Sequence, residues 1–343
     1  MNTYRMAFIP EPGKIEYRDI PIREPAAKEV VVKVKAVAIC GSDLHLFKGK
    51  HPSATLPAAV GHELSGEVVS CGSGVTRFKE GDRVTVEPVI ACGVCHFCSR
   101  GQYNLCERIS FQYRQGQGAF ADYFYAPEYR VYKLPDNVSF QEGALVEPCS
   151  VALHAVKTSD IKIGQTSAVI GAGAIGILVS KIVGNLTGVK PFVTDLNAFR
   201  GKRAIEMGSF DTSEWARDEF TDRVISLTDN LGVHAVFEAV GVEATLNQAM
   251  QIVRKGGKIM LLGIFEDPTP KIAANLFVQK EISITGSQGY AWDFQDAIDM
   301  ISSGLVEVQM LITSQLPFSK LQYGFDSLML PGNEQIKVVI NLD

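Results

Sequence analysis

Four cysteines crowd into one short loop and form the most specific chemical signal in the sequence. They are Cys92, Cys95, Cys98 and Cys106, and the residues between them are mostly polar or small. Four thiolates are the ligand set of a closed tetrahedral zinc site, whereas buried core cysteines are scattered through apolar strands. The spacing therefore predicts a structural zinc ion, with an iron–sulfur cluster as the alternative.

A second group of metal-ligating residue types is spread over the first 150 residues. It offers one thiolate, one imidazole and two carboxylates, from Cys40, His62, Glu63 and Glu147. These side chains would make an open zinc site, with a position left for substrate or water, if the fold brings them together. Each is a weak signal alone, because a single cysteine or histidine after a strand is more often a packed residue. Glu147 would also suit the N-terminus of a helix.

The third signal is a glycine-rich turn between an apolar strand and a helix. Gly171, Gly173 and Gly176 form the pattern G-x-G-x-x-G, and Asp195 ends the next predicted strand. The three glycines would permit a tight turn, a close approach of a pyrophosphate to the helix N-terminus, and close helix–strand packing. Asp195 would accept hydrogen bonds from the adenosine ribose and repel a 2′-phosphate, which favours NAD over NADP. Arg200 nearby argues in the opposite direction.

Two parts of the sequence have different secondary-structure patterns, and these patterns indicate which elements position the candidate ligands and the glycine turn. Up to about residue 150, short β-rich runs alternate with Gly and Pro turns and helix signals are scarce, which predicts a β-barrel or sandwich. These strands are predicted at residues 29–37, 66–70, 83–87 and 121–125. Strand and helix patterns then alternate, which predicts βαβ units around a parallel sheet. The strands are predicted at residues 167–171, 191–194, 235–239, 258–262 and 282–285, and the helices at 150–158, 173–185, 198–207 and 244–253.

The last part of the chain is predicted to hold a helix at residues 294–302 and an apolar strand at residues 337–342. Because this strand has no βαβ partner, we assign it to the first domain. No internal repeat, low-complexity tract or charge run interrupts this organisation.

Composition narrows the classes of partner. The 343 residues include 33 Lys and Arg against 38 Asp and Glu, a net charge of −5, which offers no general attraction to nucleic acid or to anionic lipid. No apolar stretch has the ~20 residues needed to span a bilayer, and the N-terminus lacks the apolar core of a secretory signal. Seven cysteines, four of them in one loop, suit a reducing compartment. We therefore expect a cytoplasmic protein with small-molecule and subunit partners.

Taken as an ordered series, the motifs resemble those of the zinc-dependent medium-chain dehydrogenase/reductase superfamily over essentially the whole chain. Within it they are most similar to the sorbitol and polyol dehydrogenase branch. Besides the four cysteines and the glycine turn, the resemblance is carried by Cys-Gly-Ser-Asp-Leu-His (40–45), Gly-His-Glu (61–63), Glu-Gly-Asp-Arg-Val (80–84), Lys-Leu-Pro-Asp-Asn-Val (133–138) and Glu-Gly-Ala-Leu-Val-Glu-Pro (142–148).

The resemblance implies an α/β fold of two domains with the active site in the cleft between them. A GroES-like β-barrel catalytic domain would cover residues 1–150 and 288–343, and a doubly wound parallel Rossmann sheet that binds NAD would cover residues 151–287. Each chain would hold one catalytic and one structural zinc ion. The protein would be a homo-oligomer, either a dimer or a tetramer.

The resemblance also implies roles for individual residues. Cys40 and His62 would be catalytic zinc ligands, Glu63 the third ligand, and Glu147 a further ligand or a water-bridged neighbour that also faces the substrate. Ser42 would hydrogen-bond the substrate hydroxyl, and His45 would pass its proton through the nicotinamide ribose to solvent. Cofactor contacts would include four further residues, namely Ile175, Val240, Gly263 and Ser287. Zinc lowers the pKa of a bound alcohol, so that an alkoxide forms near neutral pH and expels hydride to the nicotinamide.

Departures from the sorbitol pattern concern the substrate. Leu46 stands where those enzymes usually have Tyr, and Gln288-Gly289-Tyr290 stands where they have Phe-Arg-Tyr, so the expected substrate-binding arginine is missing. We predict that Arg114 replaces it, although a solvated surface side chain is an equally good interpretation. We therefore expect a substrate other than sorbitol, namely a secondary alcohol of a polyol, sugar acid or sugar phosphate.

Three alternatives stay open. A threonine-type or general secondary-alcohol dehydrogenase is one, although the threonine branch usually has Asp at the position of Glu147. A zinc-free reductase would lack Cys40, His62 and the four-cysteine loop. A non-catalytic nucleotide-binding protein would bind NAD without turnover.

Overall fold

The computed structural model describes residues 3–51, 55–111, 116–212 and 219–343. The chain divides into two compact units. The first contains residues 1–147, 294–304 and 311–343, and the second contains residues 148–293 and 305–310. The sequence analysis placed the boundaries a few residues away, at 150 and 287, and did not separate residues 305–310 from the first domain.

A mostly antiparallel sheet of seven strands organises the first unit. Along it the order is β10-β6-β5-β3-β17-β16, and β9 also pairs with β3. The strands are β3 (Glu29–Ala38), β5 (Glu63–Cys71), β6 (Arg83–Val86), β9 (Tyr123–Pro127), β10 (Val131–Lys133), β16 (Ile312–Pro317) and β17 (Lys337–Asn341). A three-stranded sheet contains β1 (Thr3–Ile9), β2 (Glu16–Pro21) and β4 (Ala58–Ala59), and a two-stranded sheet contains β7 (Val89–Ile90) and β8 (Ser110–Phe111).

β3 is the central strand of the first unit because its valines are buried on both faces. Seven of its ten residues are buried, and β-branched side chains pack well on a pleated surface. The core formed around it also takes in Phe120 and Phe325. β17 pairs antiparallel with β3, so the last strand completes the first unit's sheet.

Short helices in the first unit escaped the sequence analysis, which found few helix signals before residue 150. The missed helices are α1 (Gly41–Phe47) and α2 (Phe140–Ala144). Later in the chain, the same unit contains α9 (Phe294–Ser302), which was predicted, and α10 (Leu321–Met329). Two turns or fewer cannot show a clear 3.6-residue period. α2 begins instead with a local capping box between Ser139 and Glu142.

Five parallel strands form the sheet of the second unit, in the order β12-β11-β13-β14-β15. They are β11 (Ser167–Ile170), β12 (Phe192–Thr194), β13 (Val233–Glu238), β14 (Val253–Leu261) and β15 (Ser283–Gly286). The helices are α3 (Val146–Ser159, which begins in the first unit), α4 (Ala174–Thr187), α5 (Ala198–Glu206), α6 (Phe220–Ser226), α7 (Glu243–Ile252) and α8 (Asn275–Lys280). This doubly wound order, together with the β-rich first unit, confirms the predicted fold class.

The strand order reverses between β11 and β13, because the chain leaves β11 for β12 on one side and later returns to the other side. Ligands of open parallel sheets bind at such a switch point, beyond the carboxyl ends of the strands. Within the described ranges, the structure contains no helix with the length and apolar character needed to cross a membrane.

Candidate active site and metal centres

The register of β3 and β5 brings three dispersed donors together. Ala38 pairs with Glu63 in the sheet, so Cys40, two residues beyond the pair, lies next to His62 and Glu63. One ligand atom from each of these three residues lies within 4.8 Å of the other two. His62 and Glu63 are buried and Cys40 is half-buried. Sulfur, nitrogen and oxygen donors of this kind suit zinc, and three protein ligands leave a fourth tetrahedral position open.

A glycine sets the turn that presents His62. Gly61 has a φ of +90°, and a Cβ at this position would lie 2.6 Å from the ring of Phe120. A side chain at position 61 would therefore strain the backbone and clash with the barrel core. The backbone N–H of Gly61 donates to Asp43 Oδ1 at 3.3 Å, which ties the turn to α1.

Asp43 holds the imidazole of His62. Its Oδ1 lies 3.4 Å from Nδ1 of His62, and its Oδ2 accepts from the backbone N–H of Cys40 at 3.0 Å. With Nδ1 facing a buried carboxylate, Nε2 is the imidazole atom left for a metal. Asp43 belongs to the motif that carried the resemblance, but the sequence analysis gave it no role. Its signal is an acid three residues after a candidate ligand, at the start of a helix.

Neighbouring charges shift the pKa values of Asp43 and His62. Burial alone would raise the pKa of Asp43, but the charge of His62 and the N–H donors outweigh it and lower the pKa. Burial alone would lower the pKa of His62, but Asp43 and Cys40 raise the pKa well above its usual value. A metal ion at His62 would compete with this proton, because a histidine ligand must be unprotonated.

A buried lysine completes the group. Nζ of Lys337 lies 2.5 and 2.6 Å from the two carboxylate oxygens of Glu63 and 3.3 Å from the carbonyl oxygen of Ile39. Burial alone would lower the pKa of Lys337, but the charges of Glu63, Cys40 and Glu147 raise it. Sequence reasoning missed Lys337, and its signal is a charged residue at the head of an otherwise apolar strand.

The other predicted residues of this site lie on neighbouring helices. Glu147 is buried in the first turn of α3, but it does not belong to the three-residue set whose ligand atoms lie within mutual reach. Ser42 and His45 are half-buried in α1, which begins directly after Cys40. Their spacing of three residues places both on one face of that helix.

The four-cysteine loop forms a second donor cluster. One sulfur from each of Cys92, Cys95, Cys98 and Cys106 lies within 4.8 Å of the others. Sγ of Cys106 accepts from the backbone N–H groups of Cys92 and Arg108, each at 3.3 Å. Backbone N–H donors lower the pKa of Cys92 to about 6, which favours the thiolate that a metal requires. With four sulfurs the site is closed to substrate, as structural zinc sites are.

An aromatic residue attaches this loop to the sheet of the first unit. Tyr103, between the last two cysteines, is buried, and the guanidinium of Arg130 lies 4.5 Å from its ring centroid. Arg130 pairs with the buried carboxylate of Glu87, which also accepts from the hydroxyl of Tyr132 at 3.1 Å. The loop is thus held by a cation–π contact and a buried ion pair.

In the second unit, the glycine turn follows β11 and opens α4. Gly171 has a φ of +98°, and a Cβ at Gly176 would lie 1.8 Å from the carbonyl oxygen of Gly171. These two glycines are needed by the fold itself. A Cβ at Gly173, in contrast, would meet no atom of the described residues within 4 Å. Glycine at 173 leaves room for a group outside the protein, as a bound pyrophosphate requires. Ile175, half-buried, lies in the first turn of α4.

Asp195 follows β12 and supports the same turn. Its Oδ2 accepts from the backbone N–H of Ala172 at 2.7 Å, and its Oδ1 accepts from that of Asn197 at 2.8 Å. Asp195 is thus held beside the backbone of the glycine turn. Arg200 is half-buried in the following helix, α5.

The loops after β13 and β14 pack backbone against backbone. A Cβ at Gly263 would lie 2.2 Å from the backbone nitrogen of Gly241. Buried Glu238 holds the first loop, because its Oε1 accepts from the backbone N–H groups of Val240 at 3.0 Å and Gly241 at 2.9 Å and from the hydroxyl of Thr245 at 2.8 Å. The sequence analysis quoted Glu238 in a motif but did not propose it as a site residue.

All three predicted contacts after β13, β14 and β15 lie at the carboxyl edge of the sheet. Val240 is 43% exposed there, beside Gly263. Ser287 follows β15, and its backbone N–H donates to the carbonyl oxygen of Leu261 at 2.9 Å. The predicted substrate residue Arg114 lies outside the described residues.

Comparison with known proteins shows what these sites belong to. Residues 26–136 match the alcohol dehydrogenase GroES-like domain, and residues 173–303 match the zinc-binding dehydrogenase domain. An uncharacterized zinc-type alcohol dehydrogenase-like protein of Escherichia coli, YdjJ, is 34% identical, with 99% of both chains covered. The chain belongs to the zinc-dependent medium-chain dehydrogenase/reductase superfamily.

Two further relatives place this medium-chain dehydrogenase in the polyol dehydrogenase branch. The sorbitol dehydrogenase of Bacillus subtilis is 32% identical, with 99% of this chain and 97% of the relative covered. The D-arabitol-phosphate dehydrogenase of Enterococcus avium is also 32% identical, with 98% and 94% covered. The predicted family is confirmed, and the protein is an enzyme of the zinc-type alcohol dehydrogenase kind.

Solved structures agree with the fold of this dehydrogenase. An Escherichia coli oxidoreductase of unknown specificity has a TM-score of 0.92, 33% identity and complete coverage of both chains. A zinc-binding dehydrogenase of Sinorhizobium meliloti, bound to NADP, has a TM-score of 0.91 and 28% identity over 99% of this chain and 100% of its own. In this dehydrogenase the four cysteines fit a structural zinc ion, and Cys40, His62 and Glu63 fit a catalytic one.

Proposed function

We propose that the enzyme transfers hydride between NAD and a secondary alcohol of a polyol, sugar acid or sugar phosphate. One observation carries the proposal: three different donor atoms, from Cys40, His62 and Glu63, lie within 4.8 Å of one another. Three protein ligands would leave the fourth tetrahedral position of a zinc ion open. Such a site binds and activates an oxygen ligand rather than serving the fold alone.

The residues of the first unit would hold the substrate hydroxyl and remove its proton. When bound, the zinc ion would supply Lewis-acid chemistry that lowers the pKa of the alcohol. Oγ of Ser42 would accept the hydrogen bond of the substrate hydroxyl. His45, one turn later in α1, would receive the proton and release it towards solvent. Asp43 would keep His62 in one tautomer and orientation.

The second unit would bind the dinucleotide. The space beside Gly173 supports a pyrophosphate at the N-terminus of α4. The carboxylate of Asp195 supports NAD rather than NADP, because it would bind the ribose hydroxyls and repel a 2′-phosphate. Ile175, Arg200, Val240, Gly263 and Ser287 would complete the contacts.

The substrate class rests on the relatives and on the departures from the sorbitol pattern. One relative is named for sorbitol and another for D-arabitol phosphate. If Arg114 and Glu147 face the substrate, a carboxylate or phosphate group on it would pair with the guanidinium of Arg114. A simple diol would gain nothing from Arg114.

A substrate panel tests the proposal directly. Purified enzyme is assayed with polyols, aldonic acids and sugar phosphates, each with NAD and NADP, and the reduced cofactor is followed by absorbance. We expect turnover with NAD and about two zinc ions per chain. Arg114→Ala, with Arg223→Ala at an exposed arginine of α6 as the control, should raise KM roughly tenfold or more for acidic substrates only. Bound NAD without turnover on any alcohol would favour the non-catalytic alternative.

We also propose a homo-oligomer, and an open sheet edge supports it. β15 has a paired strand on one side only among the described residues. The preceding helix, α8, has no buried residue along its six described positions, and Val278 in it is 85% exposed. A strand edge beside exposed apolar side chains suits a second copy of the chain. Val278→Lys should then dissociate the assembly in light-scattering measurements. A wild-type monomer would contradict this.

The proposed location is the cytoplasm. All seven cysteines lie in the described ranges and are free thiols. Thiols kept for metal binding suit a reducing compartment. Fractionation of the producing cells, with zinc content measured in each fraction, checks this expectation.

A further inference from the structure

The four-cysteine loop is an insertion between two short paired strands. β7 and β8 are antiparallel, with Val89 opposite Phe111, and all four cysteines lie between them in the chain. A sheet of two such strands is not stable alone in water. Closing the long loop between them also costs conformational entropy. The pairing of β7 with β8 therefore depends on the groups that hold the loop together.

The first and last cysteines close the loop directly beside these strands. The backbone N–H of Cys92, two residues after β7, donates to Sγ of Cys106 at 3.3 Å. The backbone N–H of Ile109, which leads into β8, donates to the carbonyl oxygen of Cys106 at 3.0 Å. A metal ion bound to the four thiolates would fix this junction, because Cys92 and Cys106 would both be its ligands.

At the end of the strand pair away from the loop, Phe111 lies beside the imidazole of His62. The two ring centroids are 6.5 Å apart and the ring planes are inclined by 59°, within the range of aromatic contacts. His62 is buried and Phe111 is half-buried. Asp43 holds the imidazole at Nδ1. Phe111 is therefore a second neighbour of the same ring, and it acts by packing instead of by a hydrogen bond.

The two strands of the pair are anchored differently. β7 follows β6, and β6 is tied to the strand that carries Glu63, because Oγ1 of Thr85 donates to the carbonyl oxygen of Leu64 at 2.8 Å. In the described part of the chain, β8 pairs with β7 alone. The position of the Phe111 ring beside His62 therefore depends on the pairing of β8 with β7.

We propose that Phe111 is a positioning residue that couples the two metal clusters of the first unit. The four-cysteine loop maintains the pairing of β8 with β7, and this pairing holds the Phe111 ring against the imidazole of His62. Loss of metal from the loop then weakens metal binding by Cys40, His62 and Glu63. The inference rests on the proposed function, in which this second site is catalytic, and Phe111 acts on the reaction through His62.

The test observes each metal site separately by cadmium-113 NMR. Cadmium is a soft ion that thiolates bind well, and its chemical shift rises with the number of thiolate ligands. The four-sulfur site and the one-sulfur site therefore give separate signals. Zinc is exchanged for cadmium by dialysis in the wild type, Phe111→Leu, Cys92→Ser and the double variant Phe111→Leu/Cys92→Ser. Chelator competition then gives the affinity of each site.

A matched control removes an aromatic contact elsewhere. Phe210 is half-buried in the second unit, and its ring centroid lies 5.0 Å from that of Phe192. Phe210→Leu is therefore the same substitution in the same kind of contact, and it should leave both cadmium signals at their wild-type positions. Circular dichroism checks that each variant is folded.

We expect Phe111→Leu to move the one-sulfur signal and to weaken cadmium binding at that site roughly two- to tenfold, as the loss of one aromatic contact would. The four-sulfur signal should stay in place, and kcat should fall. Cys92→Ser should remove the four-sulfur signal and move the one-sulfur signal as Phe111→Leu does. The double variant should place the one-sulfur signal where Phe111→Leu alone places it, because both changes break the same contact.

Independent metal sites give a different pattern. If Cys92→Ser leaves the one-sulfur signal and its affinity as in the wild type, the loop does not act on His62. If Phe111→Leu leaves that signal unmoved, or if the two shifts add in the double variant, Phe111 is not the connection. Each of these results overturns the proposal.

A second variant replaces Cys92→Ser if that protein does not fold. Ile90→Pro breaks the pairing of Ile90 with Ser110 and keeps all four cysteines. It should move the one-sulfur signal as Phe111→Leu does, and an unmoved signal would contradict the coupling. Because the cadmium signals are recorded without substrate, a failure of the proposed alcohol oxidation would show separately, in the substrate panel.

Discussion

The candidate site of the first unit depends on side chains, whereas that of the second unit depends on the backbone. In the first unit, buried charged side chains supply the chemistry, among them His62, Asp43 and Lys337. In the second unit, the backbone supplies the chemistry. Gly173 and Gly263 matter there because they have no Cβ. A site of side chains can lose its function through one substitution while the fold persists. A site formed by the backbone loses its function when a side chain is added at one of its glycines.

Replacement of His62 by Ala should have the largest effect on the side-chain site. Without this ligand the catalytic metal is lost or misplaced, and we expect kcat to fall at least about 10³-fold, since metal polarisation is worth several kcal/mol. NAD binding, followed by fluorescence titration, should stay within a factor of two. His96→Ala, which removes an exposed histidine of the four-cysteine loop, is the control. Near-full activity of the His62 variant would refute the metal assignment.

Replacement of Cys92 by Ser tests the second metal cluster of the same unit. A structural zinc ion contributes folding free energy, so the zinc content should drop from about two to about one per chain and Tm should fall by roughly 10 °C or more. Cys71→Ser, at a half-buried cysteine outside both clusters, should change neither value. Unchanged zinc content in the Cys92 variant would mean that the loop does not hold the ion.

Addition of one methyl group tests the backbone site. Gly263→Ala would place a Cβ 2.2 Å from the nitrogen of Gly241, so we expect NAD to bind roughly tenfold more weakly or worse and Tm to drop. Gly173→Ala meets no described protein atom within 4 Å, so it should weaken NAD binding with Tm unchanged. Calorimetry and cofactor titration separate the two. Unaltered NAD affinity in Gly173→Ala would show that no pyrophosphate lies at this turn.

Asp195 is a side chain in an otherwise backbone-built site, and its replacement should be milder. Asp195→Ser should raise the ratio of NADP to NAD efficiency by roughly tenfold, because the repulsion of a 2′-phosphate is removed. Asp222→Ser, at an exposed acid of α6, serves as the control. A wild type that already prefers NADP would overturn the role of Asp195.

The smallest expected effect concerns a buried aspartate of the second unit, Asp293, and its two side-chain partners. Buried Asp293 accepts from Nδ1 of His154 at 2.7 Å and from Nζ of Lys157 at 2.8 Å. Burial alone would raise the pKa of Asp293, but these partners lower it. Its contribution is therefore present above its unfolded pKa of ~3.9 and is lost as the pH falls through the lower folded value.

Asp293→Asn should accordingly lower Tm by a few degrees at pH 7, with kcat little changed. The difference in Tm from the wild type should shrink below about pH 4. Asp296→Asn, at an exposed acid of α9, controls for the loss of one charge. A difference in Tm that does not depend on pH would show that the carboxylate charge does not stabilise this unit.

Local signals made much of both sites predictable. The four cysteines and the glycine turn are short runs whose chemistry is complete within a few residues of sequence, and the strand–turn–helix around Gly173 matches its prediction closely. α1 escaped because seven residues carry too little periodicity. Lys337 and Glu63 are 274 residues apart, and neither segment contains a sequence signal that identifies the other as its partner. Their contact depends on the register of β3, β5 and β17, which only the folded chain fixes.

That separation also orders events during synthesis. At about 5–20 residues per second, the ribosome makes Lys337 roughly 14–55 s after Glu63. In the interval, Cys40, His62 and Glu63 have all been made, while the β17 side of β3 has no partner strand. A nascent chain can therefore meet a metal ion through a Glu63 that no ammonium yet holds. Until the last strand pairs with β3, Glu63 lacks the ammonium that contacts it in the folded chain.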